Sequence, residues 1–134
     1  MTVARRKGNP GKADLLFSRI VRSRGSCERC GVTPATDTAH IIRRSWSATR
    51  CVEDNAWALC RSCHHLVDEW QFEWNKLVAV TIGFRRAAEL RKRATGGLKA
   101  LGVSTPNFWK GEVERLTSRC QELGLPTTWK SGQN

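Results

Sequence analysis

The sequence predicts an α+β protein, mostly helical, in which a small metal-stapled core is flanked by a basic N-terminal helix and a C-terminal helical extension. Three observations carry that prediction. Two CxxC pairs, Cys27/Cys30 and Cys60/Cys63, have the spacing of zinc knuckles, and their four thiolates can close a tetrahedral shell around Zn²⁺ at Zn–S distances of about 2.3 Å. Helical periodicity dominates both flanks, whereas only the short stretch 38–42 between the pairs is β-compatible. The span that holds the cysteines is about forty residues, below the size at which a hydrophobic core is usually sufficient alone, so a metal staple is expected there.

Charge narrows the function. Of 134 residues, 23 are Lys or Arg against 12 Asp or Glu, a formal charge of +11 that points to a polyanionic partner, nucleic acid first. No apolar run reaches the length of a membrane span, and the start Met1-Thr2-Val3-Ala4-Arg5-Arg6-Lys7 lacks the apolar stretch of a signal peptide, so no membrane and a cytoplasmic location are expected. The six cysteines read as metal ligands in a reducing compartment rather than as three disulfides of a secreted chain.

Residues 1–24 are read as a basic arm and helix. Positions 1–11, with Arg5, Arg6, Lys7, two glycines and a proline, have almost nothing to bury and are expected to be disordered. A short helix follows, with Leu16 and Ile20 one turn apart and Phe17 and Val21 beside them. Arg19, Arg22 and Arg24 decorate it, and because Asp14 alone opposes the basic residues of this segment, they are read as DNA contacts.

Residues 25–80 are the expected core. Positions 25–39 read as a knuckle and a turn at Thr33-Pro34, then a short strand, then a loop over 43–55 that lacks periodicity. In that loop Arg43, Arg44 and Arg50 can clamp phosphates, and Trp46 has two readings, a contact with a nucleic-acid groove or packing over the knuckle. A helix starting near Cys60 has the predicted apolar stripe Leu66, Trp70, Trp74 and Leu77, with His64 and Asp68 together on its opposite face.

Residues 81–134 are the helical extension, joined to the rest in one compact domain. Ile82-Gly83 ends the preceding helix and opens a second basic stretch of Arg85, Arg86, Arg91, Lys92, Arg93 and Lys99, opposed by Glu89 and read as DNA-binding; Gly96-Gly97 is the predicted helix end. The last helix has Thr105 as cap, Pro106 in first position, a stripe of Trp109, Val113, Leu116, Cys120 and Leu123, and a stop at Gly124 and Pro126. Cys120 falls on the stripe and reads as a small core residue; Cys51, without a partner at knuckle spacing, reads as a free thiol.

A closed four-cysteine shell cannot itself activate water, so any chemistry requires a second centre. His40, between the knuckles, and His64, abutting the second, are the candidates; His65 reads as exposed. The order Cys27-Glu28-Arg29-Cys30-Gly31, Ala39-His40-Ile41-Ile42, Asp54-Asn55, Leu59-Cys60-Arg61-Ser62-Cys63-His64 resembles the zinc-containing branch of the HNH endonucleases, particularly the small forms common in bacteriophages and prophages. The resemblance covers residues 25–70, and its specificity lies in the order and spacing of elements that are each weak alone.

The resemblance implies a ββα-metal core, with the first histidine on a hairpin, the asparagine on a loop and the last histidine on a helix. It implies a metal-dependent nuclease that nicks or cuts double-stranded DNA, leaving 5′-phosphate and 3′-hydroxyl ends. His40 corresponds to the general base, Asn55 to the residue that fixes the geometry around it, and His64 to a ligand of a catalytic Mg²⁺, Mn²⁺ or Ni²⁺. Many members carry Asp or His immediately before the first histidine as a second ligand, where this chain has Ala39. Asp68, one helical turn after His64, is the obvious substitute; Asp37 and a water-rich one-ligand site are the other options. Small phage members often act beside the DNA-packaging terminase, so a packaging complex is the expected partner at family level. Two other readings stand beside the nuclease: a non-catalytic zinc-stabilised DNA-binding module, and an interaction subunit that docks through the final helix.

Overall fold

The computed structural model describes residues 8–129; the predicted basic arm at Arg5, Arg6 and Lys7 lies outside them. Helix α1 (Gly8–Arg22) begins earlier than the sequence suggests, since residues 8–11 are helical, with Pro10 in the first turn where its missing N–H is not needed. Its buried face of Ala13, Leu16, Phe17, Ile20 and Val21 packs on the last helix, whose Phe108, Trp109, Leu116 and Cys120 complete the same cluster.

Strand β1 (Asp37–His40) pairs antiparallel with β2 (Ala56–Leu59), Asp37 opposite Leu59 and His40 opposite Ala56. Because successive side chains alternate, Ala56 and Ala58 of β2 enter the α1 cluster while Trp57 and Leu59 enter a second cluster around the cysteines. The connection 41–55 is not featureless: it contains a short helix α2 (Ser47–Arg50) and a 3₁₀ turn at Glu53–Asn55. Both are too short for periodicity to reveal and are held by tertiary hydrogen bonds, Arg93 Nε donating to the Ala48 carbonyl at 2.9 Å and Asn55 Nδ2 to the Thr49 carbonyl at 2.9 Å.

The helix predicted after Cys60 is two helices, α3 (Arg61–Glu69) and α4 (Gln71–Val80), broken at Trp70 in an extended conformation (φ −117°, ψ 107°). The predicted stripe is broken with it: Trp70 is 60% exposed, while Trp74 and Leu77 still pack in the cluster around the cysteines. Cys63 must turn its sulfur inward, and that rotation makes Val67, one turn on, the buried neighbour rather than Leu66. Helix α5 (Gly83–Leu101) is interrupted at Gly97 (φ 69°, ψ −172°), within the glycine pair where a stop is expected, and then resumes. Helix α6 (Thr105–Glu122) is capped by Ser104, whose Oγ accepts from the Asn107 N–H, rather than by Thr105. No helix among the described residues is long and apolar enough to cross a membrane.

Three arginines read as DNA contacts have intramolecular partners, and one of them, Arg50, is buried beyond the reach of a phosphate. Arg50 is 1% exposed, its Nε and Nη2 paired with the Asp14 carboxylate at 2.7 and 2.5 Å and its guanidinium over the Trp109 ring. Arg19 donates to the carbonyls of Pro126 and Thr128, tying the segment after α6 back to α1. Arg86 is bidentate on Asp54 at 2.6 and 3.0 Å. Each finds its partner far away in sequence, which local charge counting cannot see.

The Asp14–Arg50 pair predicts a specific stability response. Asp14→Ala leaves a buried guanidinium without its counter-charge and should cost about 3 kcal/mol, whereas the double variant Asp14→Leu/Arg50→Met should recover most of that loss. Urea denaturation of both variants checks this; a double variant no more stable than the single one contradicts it.

Candidate functional site

The four knuckle sulfurs converge. Sγ of Cys27, Cys30, Cys60 and Cys63 all lie within 4.8 Å of one another. The first pair sits on a tight turn closed by the Cys27 N–H to the Thr33 carbonyl and the Gly31 N–H to the Cys27 carbonyl, each 2.9 Å, with Gly31 at the φ of 73° that the turn requires. The second pair straddles the start of α3, Cys60 at its N-cap and Cys63 in its first turn. Backbone N–H groups of Val32 and Thr33 draw the Cys30 thiol down to about 6, while burial pushes Cys63 up to about 12 despite the Arg29 guanidinium 3.4 Å away. Four soft donors this close can hold a structural metal such as zinc. Cys51 and Cys120 stand apart from the cluster, both buried, with Cys120 Sγ near the Leu16 carbonyl at 3.8 Å.

His40 ends β1 with its ring packed 5.6 Å from that of Phe17 and its Nε2 2.9 Å from the Arg50 carbonyl. A carbonyl only accepts, so Nε2 carries the proton and the Nδ1 lone pair is left available. Burial is the main reason that the His40 pKa falls to about 4, with Arg44 acting in the same sense and the Arg50 carbonyl against it. The imidazole is therefore neutral at pH 7, the form a base needs. Asn55, fully buried, clips the loop that follows His40: its Oδ1 accepts from the Ile42 N–H at 2.8 Å, and its Nδ2 donates to the Ile42 and Thr49 carbonyls at 3.1 and 2.9 Å. It thereby holds the segment that carries the Arg50 carbonyl.

His64 lies in α3 with Nδ1 2.9 Å from Asp37 Oδ2 and Nε2 3.4 Å from Asp68 Oδ2. Burial works against ionisation of Asp37, but hydrogen bonds from His64, Thr36 and Arg61 outweigh it and keep the carboxyl below its ordinary range. Asp37 is thus an acceptor for the Nδ1 proton, which turns the Nε2 lone pair toward Asp68. Separation by 3.4 Å suits two donors sharing one hard cation at about 2.1 Å each. A carboxylate on one ring nitrogen is the usual support for a histidine that ligates a metal through the other, so Asp37 is placed to orient His64 rather than to add a second ligand. Ala39, between them in sequence, is buried in the cysteine cluster.

His40 and Asp68 line the same cleft, of about 430 Å³, together with Arg43, Gln71, Trp74 and Arg91. On its other side His40 reaches a second cleft with Asp14, Phe17, Arg22, Thr38 and Arg44. Of the remaining basic residues, Arg85, Lys92 and Arg93 are exposed on α5, and Arg44 is 3.6 Å from Asp14. The roles of Asp37, Asp14 and the Arg50 carbonyl are absent from the sequence reading, because each depends on a partner supplied by another element. Compared with known proteins, the chain matches no protein-family model, no curated protein and no solved structure.

The depressed His40 pKa has a measurable consequence. Between about pH 6.5 and 4 the unfolded chain binds the proton and the folded chain does not, so stability is complete above that window and falls as pH drops through it, by about 2 kcal/mol at pH 5. Urea midpoints of wild type and His40→Gln at pH 7.5 and pH 5 isolate this contribution, since acid release of metal affects both proteins. An equal loss in both contradicts the assignment.

Proposed function

We propose that the chain is a metal-dependent endonuclease of the HNH type, hydrolysing phosphodiester bonds of double-stranded DNA. The observation that carries the proposal is a neutral, tautomer-fixed His40 at the end of β1 and a His64–Asp68 donor pair on α3, with His40 and Asp68 lining one cleft edged by Arg43 and Arg91. This arrangement agrees with the HNH resemblance of residues 25–70.

Nδ1 of His40 takes a proton from water, and the resulting hydroxide attacks phosphorus opposite the 3′-oxygen, which departs with the bonding pair and takes a proton from solvent water, giving a 3′-hydroxyl and a 5′-phosphate. A divalent cation held by His64 and Asp68 would neutralise the scissile phosphate and stabilise the departing oxygen. Asp37 keeps the His64 Nε2 lone pair pointed at the cation position, and Asn55 keeps the Arg50 carbonyl on His40. The zinc cluster takes no part in the chemistry. It holds the start of α3 against the hairpin.

Conversion of supercoiled plasmid to nicked or linear forms with Mg²⁺, Mn²⁺ or Ni²⁺ tests the proposal. His40→Ala should slow cleavage by about 10²-fold or more with one zinc per chain retained. A fully active His40→Ala protein, or a wild type that binds DNA and never cuts it, would return the chain to the class of non-catalytic zinc modules.

Metal dependence separates the two centres. EDTA should stop cleavage quickly and reversibly, while zinc, coupled to folding, should leave slowly and take the fold with it. Asp68→Ala and Asp37→Asn should each raise the Mg²⁺ concentration for half-maximal cleavage by about tenfold or more, the one by loss of a ligand and the other by loss of its orientation. An unchanged Mg²⁺ requirement in the Asp68 variant excludes it as a ligand, and loss of zinc from His64→Ala would place that histidine in the knuckle.

A further inference from the structure

Trp46 stands 42% exposed beside the cleft. Its place is built rather than loose. It is the N-cap of α2, and α2 is pinned to α5 by Arg93 on the Ala48 carbonyl and to the 3₁₀ turn by Asn55 on the Thr49 carbonyl. The indole does not cover the knuckle. It lines a groove with Ile41, Ile42, Arg43, Arg91 and Ala94, of about 260 Å³ and more apolar than the His40 cleft. Arg43 and Arg91 are exposed and, unlike Arg44 and Arg86, have no carboxylate partner among the described residues. Ile41, Arg43 and Arg91 also line the His40–Asp68 cleft, so cleft and groove are continuous across the two guanidinium groups.

We infer that this groove receives an unpaired nucleobase of the strand cut at His40, stacked on Trp46 while Arg43 and Arg91 hold the phosphates on either side. The inference rests on the nuclease reading of the cleft and adds a substrate preference to it. An apolar, aromatic floor between two free cations matches a base attached to a phosphodiester, and it matches poorly an acidic peptide, which has no flat apolar face. A base inside a duplex is covered on both faces by its neighbours. The preferred substrate is therefore DNA with an unpaired base beside the scissile bond, as at a bulge, gap or flap.

Binding without cleavage tests this. In EDTA, with the full chain carrying His40→Ala, anisotropy is measured on a labelled duplex and on the same duplex bearing one unpaired thymine. The bulged duplex should bind more tightly. Adding Trp46→Ala should weaken bulged binding by about tenfold while changing paired binding less than about twofold, and Trp46→Phe should restore most of the loss. Arg43→Gln or Arg91→Gln should weaken both duplexes and flatten the salt dependence. Equal affinity for the two duplexes, or a Trp46→Ala loss shared equally between them, overturns the inference, and Trp46→Phe together with zinc content guards against a folding defect. Plasmid cleavage by wild type is read separately. Cleavage with no Trp46 effect removes only the base pocket, whereas Trp46-dependent bulge binding without cleavage keeps the pocket and removes the nuclease reading.

Discussion

Holding Cys27 and Cys30 within 4.8 Å of Cys60 and Cys63 decides where β2 ends and α3 begins, and the geometry of the site descends from that constraint. Cys60 occupies the N-cap of α3, so the helix cannot start elsewhere, and Cys63 must face the sulfurs, so Val67 faces the core. His64 and Asp68 are each one residue on from these inward positions, so that His64 meets Asp37 at the start of β1 through one ring nitrogen and Asp68 through the other. The knuckle is also laced to β2 directly, the Glu28 N–H donating to the Ala58 carbonyl and the Ala58 N–H to the Glu28 carboxylate. A bound structural zinc contributes its binding free energy to folding, on the order of 10 kcal/mol at neutral pH, which a core of this size has few other ways to supply.

The other histidine depends on a second chain of contacts that runs through the flanks. His40 is held by a backbone carbonyl, that of Arg50, whose side chain is fixed by Asp14 of α1 and by the Trp109 ring of α6. Phe17 of α1 packs on the imidazole itself. A charge buried in this way is weak evidence for stability gained, since burial of both partners costs much of what their attraction returns. Its effect is conformational: with Arg50 committed to Asp14, the carbonyl has one direction in which to point. The helices on either side of residues 25–70 thus set the tautomer of His40.

How much of this was legible in the sequence follows from where each interaction is written. The cysteine cluster, Cys120 in the core and the break at Gly97 are read from residues close together in the chain, and the structure keeps them. The order His40, Asn55, His64 is legible too, although only their resemblance gave those residues roles. The partners of Arg19, Arg50 and Arg86 are not legible, because a guanidinium bound to Pro126, Asp14 or Asp54 looks the same in sequence as one awaiting phosphate. The stripe through Trp70 was misread because four apolar residues one turn apart imply a continuous helix, and only the demand of Cys63 for the sulfur cluster rotates α3 away from it.

Those long-range ion pairs change the electrostatics of the molecule. Every acidic side chain except Asp68, Glu69 and Glu114 is paired with an arginine or lysine among the described residues, including those that neutralise Arg50, Arg86, Arg115 and Arg119. Internal pairing consumes the acids and leaves an unpaired basic remainder at the surface. Arg43 and Arg91 belong to that remainder, and they edge the one cleft that His40 and Asp68 share. Charges at a cleft rim act at short range on whatever enters it, where salt screens them less than it screens the same charges spread over the surface. The net charge of +11 is therefore a poorer guide to where a polyanion would bind than Arg43 and Arg91, which edge the cleft and have no carboxylate partner among the described residues.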